Sequence, residues 1–295
     1  MNIFFGYDKI CEGIGGKEMK IYPKCDENFN GVNILKPYIE KYKGVEIQFV
    51  SYECINIVYD VVKRYKEQIP IIEEVTVHLP LTDEFNFETL GFAKLEQEKN
   101  RLEVLKKVSK DFNIRVNLIY HTLWNYDVWR YSGAVERMKE LLELIQNTNV
   151  YILLENVYSV IEPIGCWVFD VAKTINNKHL KVCLDTCHLH CQANIFKIPF
   201  DIFLEEYLNK EDCQKYIHQI HFSGVLNNDG FIDFKKTHGR VHNSLESLKA
   251  DYNYLKLFGI DNRIIIPEVS EDDYSTRIDQ IEEIRMLMSK ENFRK

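Results

Sequence analysis

Short apolar segments of this chain repeatedly end in a histidine or a carboxylate, and no other feature limits the possible folds as strongly. The clearest case is the segment Lys181-Val-Cys-Leu-Asp-Thr-Cys-His188, in which a β-branched, apolar run leads to Asp185 and His188. A strand that is apolar on both faces belongs in a sheet covered by helices, so its polar residues lie at its end. Five further runs of this kind end at His78, His121, Glu155, His221 and Glu268.

Eight segments have the β-branched and aromatic composition of strands, and helix-like segments lie between several of them. The strand starts recur at intervals of roughly 30 to 45 residues, which accommodate one strand and one crossover helix. The predicted strands are residues 2–7, 45–50, 74–79, 115–121, 151–156, 181–186, 217–223 and 263–269. The clearest predicted helices are residues 55–66, 87–110, 135–146, 244–257 and 278–288.

These units predict an α/β fold, a (β/α)8 TIM barrel with eight parallel strands, as one domain over residues 1–295. No linker rich in proline, glycine or serine interrupts them. An open doubly wound sheet is the competing architecture, but no G-x-G-x-x-G fingerprint follows the first predicted strand. In TIM barrels the active site forms at the carboxyl ends of the strands, where the histidines and carboxylates are predicted to lie.

Composition excludes some classes of function. The net charge of −8 argues against a protein that coats nucleic acid through a broad basic surface. It does not argue against a nuclease, because bound cations supply local positive charge. We expect no membrane span, no signal peptide, a cytoplasmic location and reduced cysteines, since the sequence has neither a long apolar run nor a basic leader. No obligate protein partner is evident.

The recurring histidines and carboxylates predict a metal site at the mouth of the barrel. Imidazole and carboxylate groups are typical ligands of Zn²⁺, and Mn²⁺ or Fe²⁺ accept them as well. A single histidine in a strand is more often a core residue than a ligand. Seven residues at one topological position favour the metal site, and they are His78, His121, Glu155, Asp185, His188, His221 and Glu268.

Four segments resemble the xylose isomerase-like TIM barrel superfamily and, within it, the endonuclease IV family of abasic-site endonucleases. They are Leu153-Leu-Glu-Asn156, Cys183-Leu-Asp-Thr-Cys-His188, Ile220-His221 and Ile266-Pro-Glu268. The resemblance runs nearly end to end. It implies a zinc-dependent hydrolase for DNA repair, a nuclease that cuts phosphodiester bonds in abasic or damaged DNA, or a related substrate, by means of a metal-bound hydroxide.

The resemblance also implies two or three zinc ions and their ligands. His78, His121 and Glu155 would hold the first, and the third would lie on His188 and His242. The second would lie on Glu155, Asp185, His221 and Glu268. The chain departs from the family two residues before His242, where Arg240 stands in place of an aspartate ligand.

Catalytic and substrate-binding roles follow from the same resemblance. Glu155 would bridge two metal ions, and Glu268 could orient the nucleophile as well as bind metal. The Arg240 guanidinium could neutralise a phosphate oxygen, unless it forms only a surface ion pair. Aromatic residues after the fourth predicted strand could stack on a flipped base or a sugar, or could simply cover the next helix; they are Trp124, Tyr126 and Trp129.

Other functions remain open at this point. A sugar or sugar phosphate isomerase or epimerase of the superfamily would need one cation on Glu155, Asp185, His221 and Glu268. In that enzyme two glutamates would move a proton beside the carbonyl of a small sugar, with His188 holding substrate. Substitution of His78 would then be nearly harmless. A multinuclear iron oxygenase and a non-catalytic barrel are the remaining alternatives.

Overall fold

The computed structural model of the chain describes residues 20–49, 54–79, 92–121, 133–157, 167–208, 213–223, 245–257, 263–268 and 274–292. Within these residues, nine strands form a single sheet in which every pair of neighbouring strands is parallel. Parallel neighbours need a crossover connection, and helices provide it along the chain. The predicted α/β class is confirmed, and the extension of one domain over residues 1–295 stays a prediction.

The described elements have the following bounds. The strands are β1 (Lys20–Ile21), β2 (Lys24–Asp26), β3 (Gly44–Gln48), β4 (Glu74–His78), β5 (Arg115–His121), β6 (Val150–Glu155), β7 (Leu180–Asp185), β8 (Ile217–Phe222) and β9 (Ile264–Pro267). The helices are α1 (Val32–Tyr42), α2 (Cys54–Gln68), α3 (Phe92–Phe112), α4 (Ala134–Ile145), α5 (Trp167–Ile175), α6 (Thr186–Phe196), α7 (Phe200–Leu208), α8 (Leu245–Leu257) and α9 (Tyr274–Asn292).

The sheet closes into a barrel through residues 20–26, which contain both β1 and β2. β1 pairs with β9 on one side of this segment, and β2 pairs with β3 on the other. Between the two strands, the Tyr22 N–H donates to the Ile265 carbonyl at 2.9 Å. The Pro23 carbonyl accepts from the Glu46 N–H at 3.0 Å. The segment therefore holds one position in a ring of eight, which confirms the (β/α)8 TIM barrel.

The first strand position of the barrel is the one that the sequence did not predict. Residues 20–26 include two lysines and a proline, and proline lacks the N–H that a strand ladder uses. The predicted strand at residues 2–7 lies outside the described residues. The other seven predicted strands are confirmed, with ends that agree to within two residues.

The predicted helices correspond to α2, α3, α4, α8 and α9, and the first residues of the predicted helix 87–110 lie outside the described part of the chain. Four helices lacked a prediction, and α1 contains Pro37, a residue that ordinarily interrupts a helix. Its apolar face is buried nevertheless, with Leu35 and Ile39 fully inaccessible to solvent. No helix among the described residues has the length and apolar character needed to cross a membrane.

Polar side chains inside the barrel connect strands that are far apart in the chain. Asn117 Nδ2 donates to Glu74 Oε1 at 2.8 Å, and Thr76 Oγ1 donates to Gln219 Oε1 at 3.0 Å. The Tyr22 hydroxyl donates to Glu74 Oε2 at 3.0 Å. All five residues are buried, so these hydrogen bonds replace those lost with water. They hold the first strand position in register with β4, β5 and β8.

Gly44 marks a close approach between β3 and the first strand position. A Cβ atom at Gly44 would overlap the ring of Tyr22, which is fully buried. We expect Gly44→Ala to lower the free energy of unfolding by about 1 to 3 kcal/mol, the usual cost of overpacking a core. Denaturant unfolding measures this change. In a Tyr22→Ala background the same substitution should be nearly neutral; an equal loss in both backgrounds would contradict the steric cause.

Candidate metal centre

Six of the predicted ligands lie together at the carboxyl ends of consecutive barrel strands. Each occupies one of the last two positions of a strand or follows it directly, because the apolar run that buries the strand stops there. All six are buried, with at most 7% of any residue exposed. In chain order, from β4 to β9, they are His78, His121, Glu155, Asp185, His221 and Glu268.

Three of these side chains form a first subsite. His78 Nε2 lies 3.1 Å from His121 Nε2. Glu155 Oε2 lies 3.6 Å from His78 Nε2 and 3.4 Å from His121 Nε2. One nitrogen or oxygen from each residue therefore faces the same point, an arrangement that could hold a metal ion.

A second subsite lies next to the first and is richer in carboxylates. His221 Nδ1 lies 3.2 Å from Glu155 Oε1 and 2.8 Å from Glu268 Oε2. Asp185 Oδ2 is 3.8 Å from the same nitrogen. Donor atoms of these four residues all lie within 4.8 Å of one another, so they could also hold a metal ion.

Glu155 belongs to both subsites and divides its two oxygens between them. Oε2 faces the imidazoles of His78 and His121, and Oε1 faces the imidazole of His221. This is the arrangement expected of a bridging carboxylate. The side chain is only 1% exposed, so its orientation is set by these neighbours and not by solvent.

The electrostatics of the cluster reflect its many carboxylates. Burial opposes ionisation of Glu155, but attraction to His221 outweighs it and holds the pKa of Glu155 below its usual range. Burial, together with repulsion from Glu268 and Glu155, raises the pKa of Asp185 well above its usual range. Burial lowers the pKa of His121 to about 3, so this imidazole is neutral near pH 7 and has a lone pair to offer.

The donor set suits a divalent cation. Neutral imidazole and carboxylate are the ligands that zinc accepts in catalytic sites, with manganese and iron as alternatives. Asp185 is pushed toward its protonated form by two nearby carboxylates, and a divalent cation would remove that repulsion. The residues present therefore fit the metal ions that the sequence predicts.

Asn156 fastens the ends of two ligand-bearing strands. Its amide Nδ2 donates to the Asp185 carbonyl at 2.9 Å, and its Oδ1 accepts from the Asp185 N–H at 2.8 Å. The Asp185 carboxylate in turn accepts from the His188 N–H at 2.7 Å, which caps the first turn of α6. At the end of β6, Glu155 is thus one candidate ligand, and Asn156 holds the backbone of another, Asp185, in place.

His188 lies beside the two subsites. Its Nδ1 donates to the Asn156 carbonyl at 2.6 Å, because a carbonyl can only accept. Nδ1 is also 4.0 Å from Glu155 Oε1 and 3.9 Å from Asp185 Oδ2. Nδ1 therefore faces the cluster but carries a hydrogen and has no lone pair for a metal ion. The predicted ligand role of His188 would need its other nitrogen, Nε2.

Two buried residues of the cluster lacked a prediction from the sequence. Glu46, on β3, is fully buried, with Oε2 2.8 Å from His221 Nε2 and Oε1 3.0 Å from His78 Nδ1. Lys24, on β2, has its ammonium 2.7 Å from His78 Nδ1 and 3.1 Å from Glu46 Oε1. It also forms an ion pair with Glu268. In the sequence, each of these residues is a charged residue next to apolar ones. That pattern is also typical of an edge strand or a loop, so it did not identify them as site residues.

The remaining predicted site residues lie outside the described part of the chain. They are the third-metal ligand His242, the phosphate-binding candidate Arg240 and the aromatic residues Trp124, Tyr126 and Trp129. The third metal position and the substrate contacts therefore stay predictions.

Comparisons with known proteins identify the family to which the sequence of this chain is similar. A family model described as Xylose isomerase-like TIM barrel matches residues 41–288. A curated relative, the probable endonuclease 4 of Malacoplasma penetrans (strain HF-2), is 25% identical over 240 residues. That match covers 74% of this chain and 75% of the relative.

Solved structures share the fold at low sequence identity. The xylose isomerase domain protein from Planctomyces limnophilus is 12% identical, with a TM-score of 0.66 over 92% of this chain and 98% of that protein. The IOLI protein, whose crystal structure contains a bound zinc atom, is 15% identical, with a TM-score of 0.62 over 91% of this chain and 96% of that protein. At these identities the likeness concerns the fold alone.

Proposed function

This chain belongs to the xylose isomerase-like TIM barrel family, and on that basis we propose that it is a metal-dependent phosphodiesterase of the endonuclease IV type. Its substrate would be DNA with an abasic or damaged site. The curated relative named as a probable endonuclease 4 supports this substrate class. Zinc is the proposed metal, since the six predicted ligands that lie together are three imidazoles and three carboxylates.

The observation that carries the proposal is the first subsite. His78 and His121 face each other at 3.1 Å and share Glu155 with the second subsite. A single-cation isomerase needs only the second subsite and has no use for two imidazoles on β4 and β5. Two adjacent positions that share a carboxylate favour two-metal chemistry instead.

The residues of the chain would contribute placement and charge. Two bound divalent cations would supply an ionised water near neutral pH and would neutralise the attacking and leaving oxygens of an in-line phosphoryl displacement. Glu155 would keep the two positions at a fixed separation. Glu268 would be a ligand of the second subsite through Oε2, while its Oε1 pairs with the Lys24 ammonium. Burial of these groups strengthens each electrostatic contact, because few water molecules screen it.

The test is cleavage of a duplex with one abasic site by the zinc-loaded protein and by His121→Ala. We expect the variant to bind one zinc ion fewer and to cleave roughly 100-fold more slowly or worse, because it lacks one ligand of the first subsite. His190→Ala is the matched control, since His190 pairs with Asp251 at 2.6 Å outside the cluster. Failure of the zinc-loaded wild type to cleave this duplex would reject the substrate.

A second candidate function, sugar isomerase or epimerase, has one observation in its favour. The second subsite alone has four donor groups within 4.8 Å, enough for a single divalent cation. In this case His121→Ala would leave ketose isomerisation nearly unchanged, so the same variant separates the two candidates.

A further inference from the structure

Lys24 and Glu46 lie in the same buried cluster and contact three of the candidate ligands, His78, His221 and Glu268. Lys24 is 6% exposed and Glu46 is fully buried, and they form an ion pair of 3.1 Å. A buried charge is costly unless it is paired and hydrogen-bonded, so these two side chains hold each other in place. Gln219 Nε2 adds a hydrogen bond to Glu46 Oε2 at 3.0 Å.

Three candidate ligands each have one polar atom on a subsite and another on this ion pair. His78 faces the first subsite with Nε2, and its Nδ1 meets Lys24 and Glu46. His221 faces the second subsite with Nδ1, and its Nε2 meets Glu46 Oε2 at 2.8 Å. Glu268 faces the second subsite with Oε2, and its Oε1 meets the Lys24 ammonium.

Glu46 assigns the proton positions on both imidazoles. A carboxylate only accepts hydrogen bonds, so each ring nitrogen that bonds to Glu46 must carry the hydrogen. His78 then keeps a lone pair on Nε2. On His221, Glu46 holds a hydrogen on Nε2, and Nδ1, which carries a hydrogen toward the Glu268 and Glu155 carboxylates in the metal-free centre, is the nitrogen that a cation would take in place of that hydrogen. His78 Nε2 and His221 Nδ1 are the two nitrogens that face the subsites. A carboxylate that orients a metal-binding histidine in this way commonly strengthens metal binding.

Lys24 makes the opposite demand on His78. An ammonium only donates, so its 2.7 Å contact with His78 Nδ1 requires the lone pair on that nitrogen. Neutral His78 would then carry its hydrogen on Nε2 and would donate it to His121 Nε2, 3.1 Å away. In that arrangement His78 has no lone pair for a metal ion. Lys24 and Glu46 therefore compete for one nitrogen.

We propose that Glu46 is a positioning residue for both metal subsites and that Lys24 opposes it at His78, so that this ion pair sets how tightly the centre binds zinc. Glu46 favours the ligand form of His78 and His221. Lys24 favours the form of His78 that cannot bind metal, and its positive charge also repels an incoming cation. The inference depends on the metal centre of the proposed function, but not on its DNA substrate.

The experiment is competition for zinc between the protein and a chromophoric chelator, with wild type, Glu46→Gln and Lys24→Met. We expect Glu46→Gln to weaken zinc binding roughly 10- to 100-fold at both sites, the usual effect of removing such a partner. We expect Lys24→Met to bind zinc roughly 10-fold more tightly, since it removes a competitor and a like charge. Glu98→Gln is the matched control, because Glu98 is a buried glutamate paired with Arg101 away from the centre.

The opposite signs separate this proposal from a purely structural role. If both variants weaken zinc binding to the same degree, or neither changes it, the proposal is wrong. Histidine ¹⁵N spectra add a second readout, since the tautomer of His78 should change in Glu46→Gln, where the demand of Lys24 is no longer opposed, and not in Glu98→Gln. If the metal-free Lys24→Met protein does not fold, the zinc affinity of Glu46→Gln relative to Glu98→Gln tests the proposal by itself. Wild type that binds two zinc ions but leaves abasic DNA intact would reject the proposed substrate and not this inference.

Discussion

Replacement of Glu155 by glutamine is expected to weaken zinc binding at both subsites and to slow phosphodiester hydrolysis by about 1,000-fold or more, equivalent to about 4 kcal/mol of transition-state stabilisation. Each oxygen of this carboxylate faces a different subsite. The amide of glutamine has the same size but lacks the charge, and its nitrogen has no lone pair for a metal ion. One substitution therefore affects two ions.

Zinc content per chain and the cleavage rate measure this effect together. Glu98→Gln serves as the control, because it changes a carboxylate that is equally buried but lies on α3 and pairs with Arg101. Retention of one zinc ion at wild-type affinity in Glu155→Gln would contradict the bridging role. It would indicate that Glu155 belongs to one subsite only.

Removal of the metal by a chelator is expected to lower the midpoint of thermal unfolding by about 10 °C or more. Four carboxylates are buried near each other at the centre, and they are Glu46, Glu155, Asp185 and Glu268. A ligand at 1,000 times its Kd stabilises a fold by about 4 kcal/mol per site. In a chain of this size each kcal/mol corresponds to roughly 2 to 4 °C, so two sites give a large shift.

Thermal unfolding with chelator, followed by addition of zinc, measures this shift and its reversal. In Glu155→Gln the difference between the two conditions should nearly disappear, because that variant has lost the shared ligand. An unchanged midpoint in the wild type after complete zinc removal would mean that the centre does not stabilise the fold through bound metal.

The sequence predicted the part of the site that depends on local pattern. An apolar run of four to six residues predicts a buried strand, and the first polar residue after it predicts the strand end. His121 and Glu155 were placed in this way, and the structure has both as the last residues of their strands. Because parallel strands end at the same mouth, strand order was not needed to bring the predicted ligands together.

The sequence by itself therefore determined the barrel, the strand ends and the six residues at its mouth. Only the tertiary structure decided which segment closes the barrel and which side chains, Lys24 and Glu46, contact the ligands. Residues 20–26 and Glu46 look locally like an interrupted or half-exposed edge. Closure of the ring brings Lys24 to Glu268, which is 244 positions away in the chain. Such pairings depend on how the strands curve around one another, and this geometry has no signature in a local run of residues.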